Sequence, residues 1–377
     1  MMTKIALCAC GSVAAIKAPL IARELVRRGF EVYCYMTPAA CEIISPALME
    51  SATRQEVVTK LSGKLEHLRN YDVILIAPAT ANTISKIAYG IADNCVTALV
   101  LARNPQDSKI IVAPAMHANM YFNIQENVEK LKKKGFHIVE PILSEGKAKL
   151  APEEEIIDAV YYMLREKDFS NKRILITAGA TIEYIDPVRI ITNKSSGKMG
   201  LAIAKEAYFR GAKVKLILGY SKIKPPRYLS VEYVETSEDM LNAVKKNIKN
   251  CDIYISAAAI TDFTTEKAEK KLKTKEITIK LKPTTKIFEK IKDEDVIKVG
   301  FKALHNVSKE ELIEEARKIL KKYELDLVVA NDVAKDVFGS DENEVYIIDR
   351  EGKIKHIKRT KKSEIAKEIF NIIKNAC

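Results

Sequence analysis

The feature that most constrains this chain is a regular alternation of short apolar runs with segments of helical period. In the first half, the predicted strands are 4–9, 32–36, 73–77, 109–113 and 137–139, and the predicted helices are 13–28, 119–134 and 153–164. Strands that alternate with helices are typical of parallel βαβ units. The first half therefore predicts a parallel sheet covered by helices.

A second series of the same kind begins after a polar segment, REKDFSNK (165–172), which has no hydrophobic period and is predicted as a linker. The predicted strands are 173–177, 213–218, 253–256, 296–301 and 327–330, the helices are 201–210, 237–248, 309–322 and 361–374, and a hairpin covers 345–357. The charged stretch 267–275 is predicted as a mobile loop. A length of 377 residues predicts about two domains. We expect an α/β protein with two three-layer Rossmann-like domains, residues 1–166 and 172–377.

Composition excludes several classes of protein. No apolar run reaches the roughly 18 residues of a membrane span, so we expect a cytoplasmic protein without a membrane partner. The seven cysteines have no C-x-x-C spacing and are interpreted as reduced thiols, with no metal site. The net charge of +12 comes mostly from the second half, where basic residues alternate with acidic ones. A small polyanion such as a nucleoside triphosphate fits this pattern, and a nucleic-acid partner is not expected.

The common nucleotide-binding motifs are missing from both halves. Neither first strand is followed by G-x-G-x-x-G, and no G-x-x-x-x-G-K-[ST] occurs. A dinucleotide site of the usual type is therefore disfavoured, and any triphosphate is held without a P-loop.

Small and polar residues follow the predicted strands of the first half. Gly11 and Ser12 follow the first strand, and two further strands end in the similar sequences APATAN (77–82) and APAM (113–116). Because the carboxyl ends of parallel strands meet at one edge, these residues predict a crevice for a flat ring system and a phosphate. The alternative interpretation is ordinary helix capping after buried strands.

The strings GSVAAIKA (11–18), APATANTISKIAYGIADN (77–94) and PAMHANMY (114–121), with His67 ahead of a strand, resemble the homo-oligomeric flavin-containing cysteine decarboxylases, and phosphopantothenoylcysteine decarboxylase most of all. The resemblance implies a trimeric core, FMN as cofactor and His67 as catalytic base. It also implies FMN contacts from Gly11, Ser12, Thr37, Pro78, Thr80, Asn82 and Met116.

This half departs from the family pattern in two places. His117 stands where the family has an asparagine that contacts the substrate carboxylate, so that contact falls to His117 or to Asn119. The flexible loop that carries a proton-donating cysteine in the family corresponds to SEGKAKLAPE (144–153), which has none. Lys147, Lys149 or a distant cysteine is left as the substitute.

The most specific signal is the run ITAGATIEYIDPVRIITNKSSGKMG (176–200), a long polar loop leading into a helix whose N-terminus can hold an anion. With SAAAITDF (256–263), KLK (271–273), VGFKA (299–303) and ANDV (330–333), it resembles phosphopantothenate–cysteine ligase. The resemblance implies paired ligase domains, Mg²⁺ and a nucleoside triphosphate, CTP in the prokaryotic branch, with ATP left open. It implies that Arg189 and Asn193 bind the acyl-nucleotide intermediate, with Asn193 also catalytic, and that Ala257, Asp262 and Phe301 contact the nucleotide. It also implies substrate-binding cations at Lys271 and Lys273, of which Lys271 is the catalytic one and Lys270 is its alternative.

Together the two resemblances predict a bifunctional enzyme of coenzyme A biosynthesis. The second half would join phosphopantothenate to cysteine, and the first half would decarboxylate the product to 4′-phosphopantetheine. Two alternatives stay open for the first half: a regulatory protein that keeps the flavin fold without the chemistry, and a decarboxylase of peptidyl cysteine that performs no reduction.

Overall fold

The computed structural model describes residues 2–103, 108–273, 276–334 and 339–376. It divides into two compact units, Met1–Arg165 and Glu166–Cys377, called here the N-terminal and the C-terminal unit. In the described part of the chain, no helix has the length and apolar character needed to cross a membrane.

The N-terminal unit is built on a five-stranded parallel sheet of order β2-β1-β3-β4-β6, beside a three-stranded antiparallel sheet of order β5-β8-β7. Its strands are β1 (Lys4–Ala9), β2 (Glu31–Met36), β3 (Val73–Ala79), β4 (Lys109–Pro114), β5 (Met116–His117), β6 (His137–Ile138), β7 (Ile142–Ser144) and β8 (Lys147–Lys149). Its helices are α1 (Ala18–Arg27), α2 (Pro38–Cys41), α3 (Pro46–Thr53), α4 (Ala81–Tyr89), α5 (Cys95–Leu101), α6 (Ala118–Asn123), α7 (Gln125–Lys133) and α8 (Glu153–Leu164), with 3-10 turns at Val13–Lys17 and Glu66–Leu68.

Both faces of this sheet are buried, because successive side chains of a strand point to opposite sides. In β1, Ile5 and Leu7 join one apolar cluster with residues of α1, α3 and α8, whereas Ala6 and Cys8 join a second cluster with residues of α4, α5 and α7. The three-layer arrangement expected from the sequence is confirmed.

The C-terminal unit has an eight-stranded sheet of order β13-β12-β9-β14-β17-β18-β19-β20, parallel from β13 to β18 and antiparallel from there to β20. Its strands are β9 (Arg173–Ala178), β10 (Ile182–Tyr184), β11 (Ile190–Thr192), β12 (Lys213–Leu218), β13 (Ser230–Tyr233), β14 (Ile253–Ser256), β15 (Phe263–Thr264), β16 (Lys282–Pro283), β17 (Ile297–Leu304), β18 (Leu327–Asp332), β19 (Glu342–Asp349) and β20 (Ile354–Lys361). Its helices are α9 (Lys198–Phe209), α10 (Ser237–Ile248), α11 (Ile287–Lys290), α12 (Lys309–Lys322) and α13 (Lys362–Ala376).

Helices again cover the two faces of the large sheet. Ile174 and Ile176 of β9 pack with α9 and α13, whereas Leu175 packs with α10 on the opposite face. The two small antiparallel pairs, β10 with β11 and β15 with β16, belong to the long connections that follow β9 and β14. These connections carry most of the site residues predicted for this unit.

Two predicted helices are wrong in extent. The segment 13–28 is a 3-10 turn followed by α1 from Ala18, because Pro19 has no N–H to donate to Ala15 and is accommodated only in the first helical turn. The segment 119–134 is two helices, α6 and α7, that meet at Ile124, whose φ of −105° and ψ of 13° leave helical geometry. Five helices, α2, α3, α4, α5 and α11, occupy segments for which no element was predicted.

The predicted linker is partly built into the C-terminal unit. Phe169 is 1% exposed and lies edge-on against Phe370, with 5.2 Å between ring centroids. Asp168 forms a buried ion pair with Arg210. Most residues around Phe169 are polar. Phe169 is the one apolar anchor and Asp168 the one paired charge described here, so the segment shows no hydrophobic period.

Candidate functional site

The predicted flavin residues lie along one edge of the N-terminal sheet. The first residues after the neighbouring strands β2, β1, β3 and β4 are Thr37, Cys10, Thr80 and Ala115. Backbone hydrogen bonds join these ends, from Thr37 N to Ala9 O (3.1 Å) and from Ala115 N to Ala79 O (2.9 Å). The structure therefore brings together residues that are about a hundred positions apart in sequence.

Three hydroxyls at this edge cap helices. Ser12 Oγ accepts from Ala14 N, Thr37 Oγ1 from Ala40 N and Thr80 Oγ1 from Thr83 N, each at 3.3 Å. Capping uses an acceptor lone pair and leaves the hydroxyl proton available as a donor. Thr80 Oγ1 also lies 3.2 Å from Thr83 Oγ1, and its proton stays available when Thr83 is the donor of that bond. The capping and ligand-binding interpretations are therefore compatible at these three residues.

Gly11 is required by close packing. A Cβ atom there would lie 2.4 Å from the Cβ of Ala39, so any larger residue would displace α2 from the edge of the sheet. The residues beside it are also small, and Ala79 and Ala115 are buried. Asn82, on the first turn of α4, is exposed, and Met116 is half-buried.

His67 lies in the 3-10 turn Glu66–Leu68, ahead of β3. The turn is held by Tyr35 Oη, which donates to Glu66 O (2.7 Å), and by Ser62, whose N–H and hydroxyl both donate to the Glu66 carboxylate. The two hydrogen bonds from Ser62 lower the pKa of the Glu66 carboxyl to about 2. The Nδ1 atom of His67 is buried, and no described residue offers it a hydrogen bond. Because buried polar atoms are nearly always paired, this nitrogen indicates a missing partner.

His117 is exposed and pairs directly with Lys147 across β5 and β8. The segment that replaces the family's flexible loop is therefore a short hairpin attached to β5. Asn119, the alternative carboxylate contact, is exposed on α6.

Three glycines shape the second candidate site, at the carboxyl end of β9. A Cβ on Gly179 would lie 2.8 Å from Tyr220 O, and its φ of +79° is left-handed. A Cβ on Gly200 would lie 2.4 Å from the Cβ of Ala178. Gly197, also with a φ of +79°, precedes α9 and provides no side-chain cap. The first amides of α9 thus start directly beside β9, as expected for an anion site.

Asp186 organises the predicted Arg189 loop. Its fully buried carboxylate accepts from the backbone N–H groups of Val188 (2.8 Å), Arg189 (2.8 Å) and Leu272 (3.2 Å), and it pairs with the Arg189 guanidinium. Burial alone would raise the pKa of Asp186, but these donors outweigh it and lower the pKa to about 2. Arg189 also donates to Leu272 O (3.2 Å). The loop that carries Lys271 and Lys273 is thereby tied to Arg189.

Glu183 is a second buried carboxylate, 6% exposed, in the same unit. It accepts from Ser237 N (3.0 Å) and Ser237 Oγ (2.6 Å) at the start of α10, and from the hydroxyls of Thr261 (3.1 Å) and Thr264 (2.7 Å). Burial raises its pKa, and the four hydrogen bonds lower it by more. Glu183 therefore holds the loop after β14 against β10 and α10.

The remaining predicted residues of this unit fall into two groups. Asn193 Nδ2 donates to Ala259 O (3.0 Å), and Ala257 N donates to Thr177 O (3.1 Å), so the polar loop and the 257–259 turn meet beside β9. Phe301 lies inside β17, which runs to Leu304. Ser256, the last residue of β14, pairs with Gly300, so Phe301 is level with the residue that follows β14. The carboxylate of Asp262 is exposed and pairs with Lys286.

Lys270, Lys271 and Lys273 are all exposed, and in the described ranges none of the three has an ion pair. The geometry does not distinguish Lys270 from Lys271. The predicted loop 267–275 contains no regular element up to residue 273, and residues 274 and 275 lie outside the described ranges.

Sequence reasoning missed Glu183 and Asp186 as organising residues. Both lie within the run 176–200, and a carboxylate inside a largely apolar stretch is the signal that could have identified them. No group of three histidine, cysteine, aspartate or glutamate side chains suited to a metal ion occurs among the described residues. The described cysteines are free, and five of them are buried.

Two family models match the chain, one for each unit. Residues 2–165 match the model described as Flavoprotein, and residues 169–376 match the DNA/pantothenate metabolism flavoprotein C-terminal domain. The crystal structure of the DNA/pantothenate metabolism flavoprotein from Streptococcus pneumoniae, 27% identical, covers 55% of this chain and 100% of its own length with a TM-score of 0.50.

Two relatives that match nearly the whole chain carry the same name. The coenzyme A biosynthesis bifunctional protein CoaBC of Thermococcus kodakarensis is 45% identical over 98% of this chain and 94% of its own length. Its counterpart from Methanocaldococcus jannaschii is 41% identical over 98% and 93%. The chain therefore belongs to the CoaBC family of bifunctional coenzyme A biosynthesis enzymes, which join a flavoprotein decarboxylase to a ligase.

Proposed function

We propose that the C-terminal unit joins 4′-phosphopantothenate to cysteine at the expense of CTP, and that the N-terminal unit converts the product to 4′-phosphopantetheine with FMN. The observation that carries this proposal is that each sheet gathers its own set of predicted residues at its strand ends. One set is small and apolar, and the other is cationic and polar.

The N-terminal crevice fits FMN. Its small apolar residues, among them Pro78, Ala79 and Ala115, give a flat ring access to the backbone, while Ser12 and Thr80 offer hydroxyl protons to polar groups. When bound, FMN would accept the electrons that leave the thiol-bearing carbon of the substrate. The chain itself supplies orientation, exclusion of water and proton transfer.

His67 is the residue we assign to proton transfer. An imidazole has an unperturbed pKa near 6.5, so its neutral form accepts a proton at neutral pH. Hydrogen bonds from Tyr35 and Ser62 to Glu66 fix the turn that carries His67. The buried Nδ1 of His67 has no hydrogen-bond partner among the described residues. A bound substrate or an ordered water would satisfy this nitrogen.

In the C-terminal unit the chain has to bring a carboxylate up to a phosphate, and cations must offset that repulsion. Asp186 fixes Arg189, so we assign Arg189 and Asn193 to binding of the acyl-nucleotide. Lys271 and Lys273 flank Leu272, which is anchored to Asp186, and we assign both lysines to the phosphates. Ala257, Asp262 and Phe301 are assigned to the nucleotide, and Mg²⁺ is expected to accompany the triphosphate.

We also propose a homo-oligomer with trimeric decarboxylase units and paired ligase units. In the N-terminal unit, Val13, Ile16 and Leu20 are 77%, 59% and 54% exposed. In the C-terminal unit, Ile277 and Leu281 are 41% and 46% exposed. Large apolar side chains in such groups support contacts with further copies.

The test is to mix the purified protein with 4′-phosphopantothenate, cysteine, CTP and Mg²⁺. We expect release of pyrophosphate and of CO₂, with CO₂ dependent on prior ligation, and slower pyrophosphate release when ATP replaces CTP. Analysis of the thiol product separates a saturated from an unsaturated product. The proposal would be overturned if neither pyrophosphate nor CO₂ were released, or if the protein did not bind FMN.

A further inference from the structure

Three hydroxyl side chains lie together inside the C-terminal unit, near the carboxyl ends of β9 and β14. Thr177 of β9 is directly opposed to Ser256 of β14, and Tyr254 lies two residues before Ser256. Side chains two positions apart in a strand point to the same face of the sheet. These three residues, called here the hydroxyl cluster, therefore share the face that α10 and α11 cover.

The hydroxyl cluster is closed off from bulk solvent. Thr177 and Tyr254 are both 0% exposed, and Ser256 is 8% exposed. The ring of Tyr254 packs against Phe288, with 5.7 Å between ring centroids, and it belongs to an apolar cluster with Leu175 and residues of α10. The phenol oxygen is thus held in place by apolar neighbours.

Hydrogen bonding sets two of these hydroxyls apart. Neither Thr177 Oγ1 nor Tyr254 Oη has a hydrogen-bond partner among the described residues. Burial raises the pKa of Tyr254 to about 12, while the hydroxyls of Ser256 and Thr177 act in the opposite direction, so the three groups lie close to one another. Buried polar groups are nearly always paired, and two neighbouring unpaired hydroxyls indicate a shared partner.

We propose that the hydroxyl cluster holds one internal water molecule, which bridges Thr177 Oγ1 and Tyr254 Oη. An internal water makes about three hydrogen bonds, and three hydroxyls enclosed by apolar side chains meet that need. Each hydroxyl can donate and accept, as water does. All three groups are neutral, so they suit an uncharged ligand better than a buried ion.

The water would lie beneath the turn 257–259, which includes Ala257, a residue assigned to the nucleotide. Ala257 N donates to Thr177 O (3.1 Å), and Ala258 packs on the apolar cluster that contains Tyr254. The turn is therefore attached to the same two residues whose hydroxyls the water would bridge. At this point the inference rests on the proposed function, and it makes Tyr254 a positioning residue that acts on the nucleotide through the turn.

The positioning role has a kinetic signature in the ligase reaction. Tyr254→Phe keeps the ring and removes only the oxygen, and Thr177→Val removes the other hydroxyl and keeps the shape. A looser turn weakens nucleotide binding equally in the ground state and the transition state, so each variant should raise KM for CTP about fivefold and leave kcat unchanged. Because both hydroxyls hold the same water, the double variant should raise KM no further. Thr177→Ser keeps a hydroxyl and should behave as the wild type.

A crystal structure of the full-length protein measures the water directly. We expect electron density for one water within hydrogen-bond distance of Thr177 Oγ1 and Tyr254 Oη in the wild type, and no such density in the double variant. A wild-type structure in which the two hydroxyls instead bond to protein groups, with no water between them, would overturn the proposal. This measurement does not depend on the activity of the enzyme.

The controls make the kinetic outcome specific. Tyr346→Phe removes the phenol oxygen of a half-buried tyrosine on β19 in the same unit and should change neither KM nor kcat. Additive effects of Tyr254→Phe and Thr177→Val on KM, or a lower kcat at an unchanged KM, would contradict the positioning role. A wild type that shows the water and releases no pyrophosphate with CTP or ATP would refute the proposed function while supporting the water site.

Discussion

The two units use the same sheet edge in different ways. In the N-terminal unit the candidate flavin residues sit at or just after the strand ends, and the hydroxyls of Ser12, Thr37 and Thr80 cap the helices that follow. In the C-terminal unit all of them except Phe301 sit in the long connections after β9 and β14, which two buried carboxylates, Glu183 and Asp186, hold in place. A site made by strand ends depends on packing, whereas a site made by loops depends on buried charge.

The difference follows from what each site is proposed to hold. A planar ring needs a flat, largely apolar edge, and close-packed small residues such as Gly11 and Ala39 provide it. A carboxylate and a triphosphate need several cations brought together, and exposed loops carry cations at low desolvation cost. The buried carboxylates then restrict the loops so that Arg189 keeps one position.

The strongest test of this comparison is to inactivate one unit alone. We expect His67→Asn to reduce CO₂ release by about 10²- to 10⁴-fold, because a general base is lost. Pyrophosphate release should be unchanged, since the ligase residues lie in the other unit. His356→Asn, an exposed histidine paired with Glu344, is the matched control and should alter neither rate. Full CO₂ release from His67→Asn would exclude the assigned role.

Glu183→Ala tests the dependence on buried charge. The substitution leaves the Ser237 amide and two threonine hydroxyls without their acceptor, and we expect the C-terminal unit to lose about 3 kcal/mol of unfolding free energy. Denaturant unfolding followed by hydrogen exchange of peptides from each unit measures the effect. Glu235→Gln, which loses only an exposed bond from Tyr184, is the control. Equal loss in the N-terminal unit would contradict the comparison.

Acid should act on the same carboxylates. The pKa of Asp186 is about 2 in the folded unit and near 3.9 in an unfolded chain. A lowered pKa stabilises the folded state above the unfolded value, and this stability is lost as the pH falls from about 5 towards 2. Asp186→Asn should therefore be less stable than the wild type at pH 7, and the gap should close towards pH 2. Thermal unfolding across this range measures it, and a gap that stays constant would refute the assignment.

The features that the sequence predicts follow the same division between strand ends and loops. The alternating pattern gave the bounds of β1, β12, α8, α10 and α12 as the structure has them, because apolar periodicity is set by the sheet and its covering helices. The pattern also predicted that Thr37, Thr80 and Met116 lie at one edge of the sheet, because the carboxyl ends of parallel strands meet there. The contact of Asp186 with Leu272 spans 86 residues, and no local pattern encodes such a pairing. The orphaned nitrogen of His67 likewise depends on packing that the sequence does not show.

Thr80 offers the smallest and most discriminating test, because it decides whether a strand-end cap also binds the cofactor. Thr80→Ala removes the acceptor of the Thr83 amide and should cost about 1 kcal/mol in the FMN-free protein, while Thr80→Ser should cost little. If the hydroxyl also donates to FMN, the cost rises by about 1 kcal/mol in the loaded protein.

Thr236→Ala is the matched cap in the C-terminal unit, where Thr236 accepts from Asp239 N, and its cost should not change with FMN. Unfolding of both variants with and without FMN measures these differences. An equal cost of Thr80→Ala in the two states would mean that Thr80 is a cap alone, and the flavin edge would then rest on its backbone and small residues.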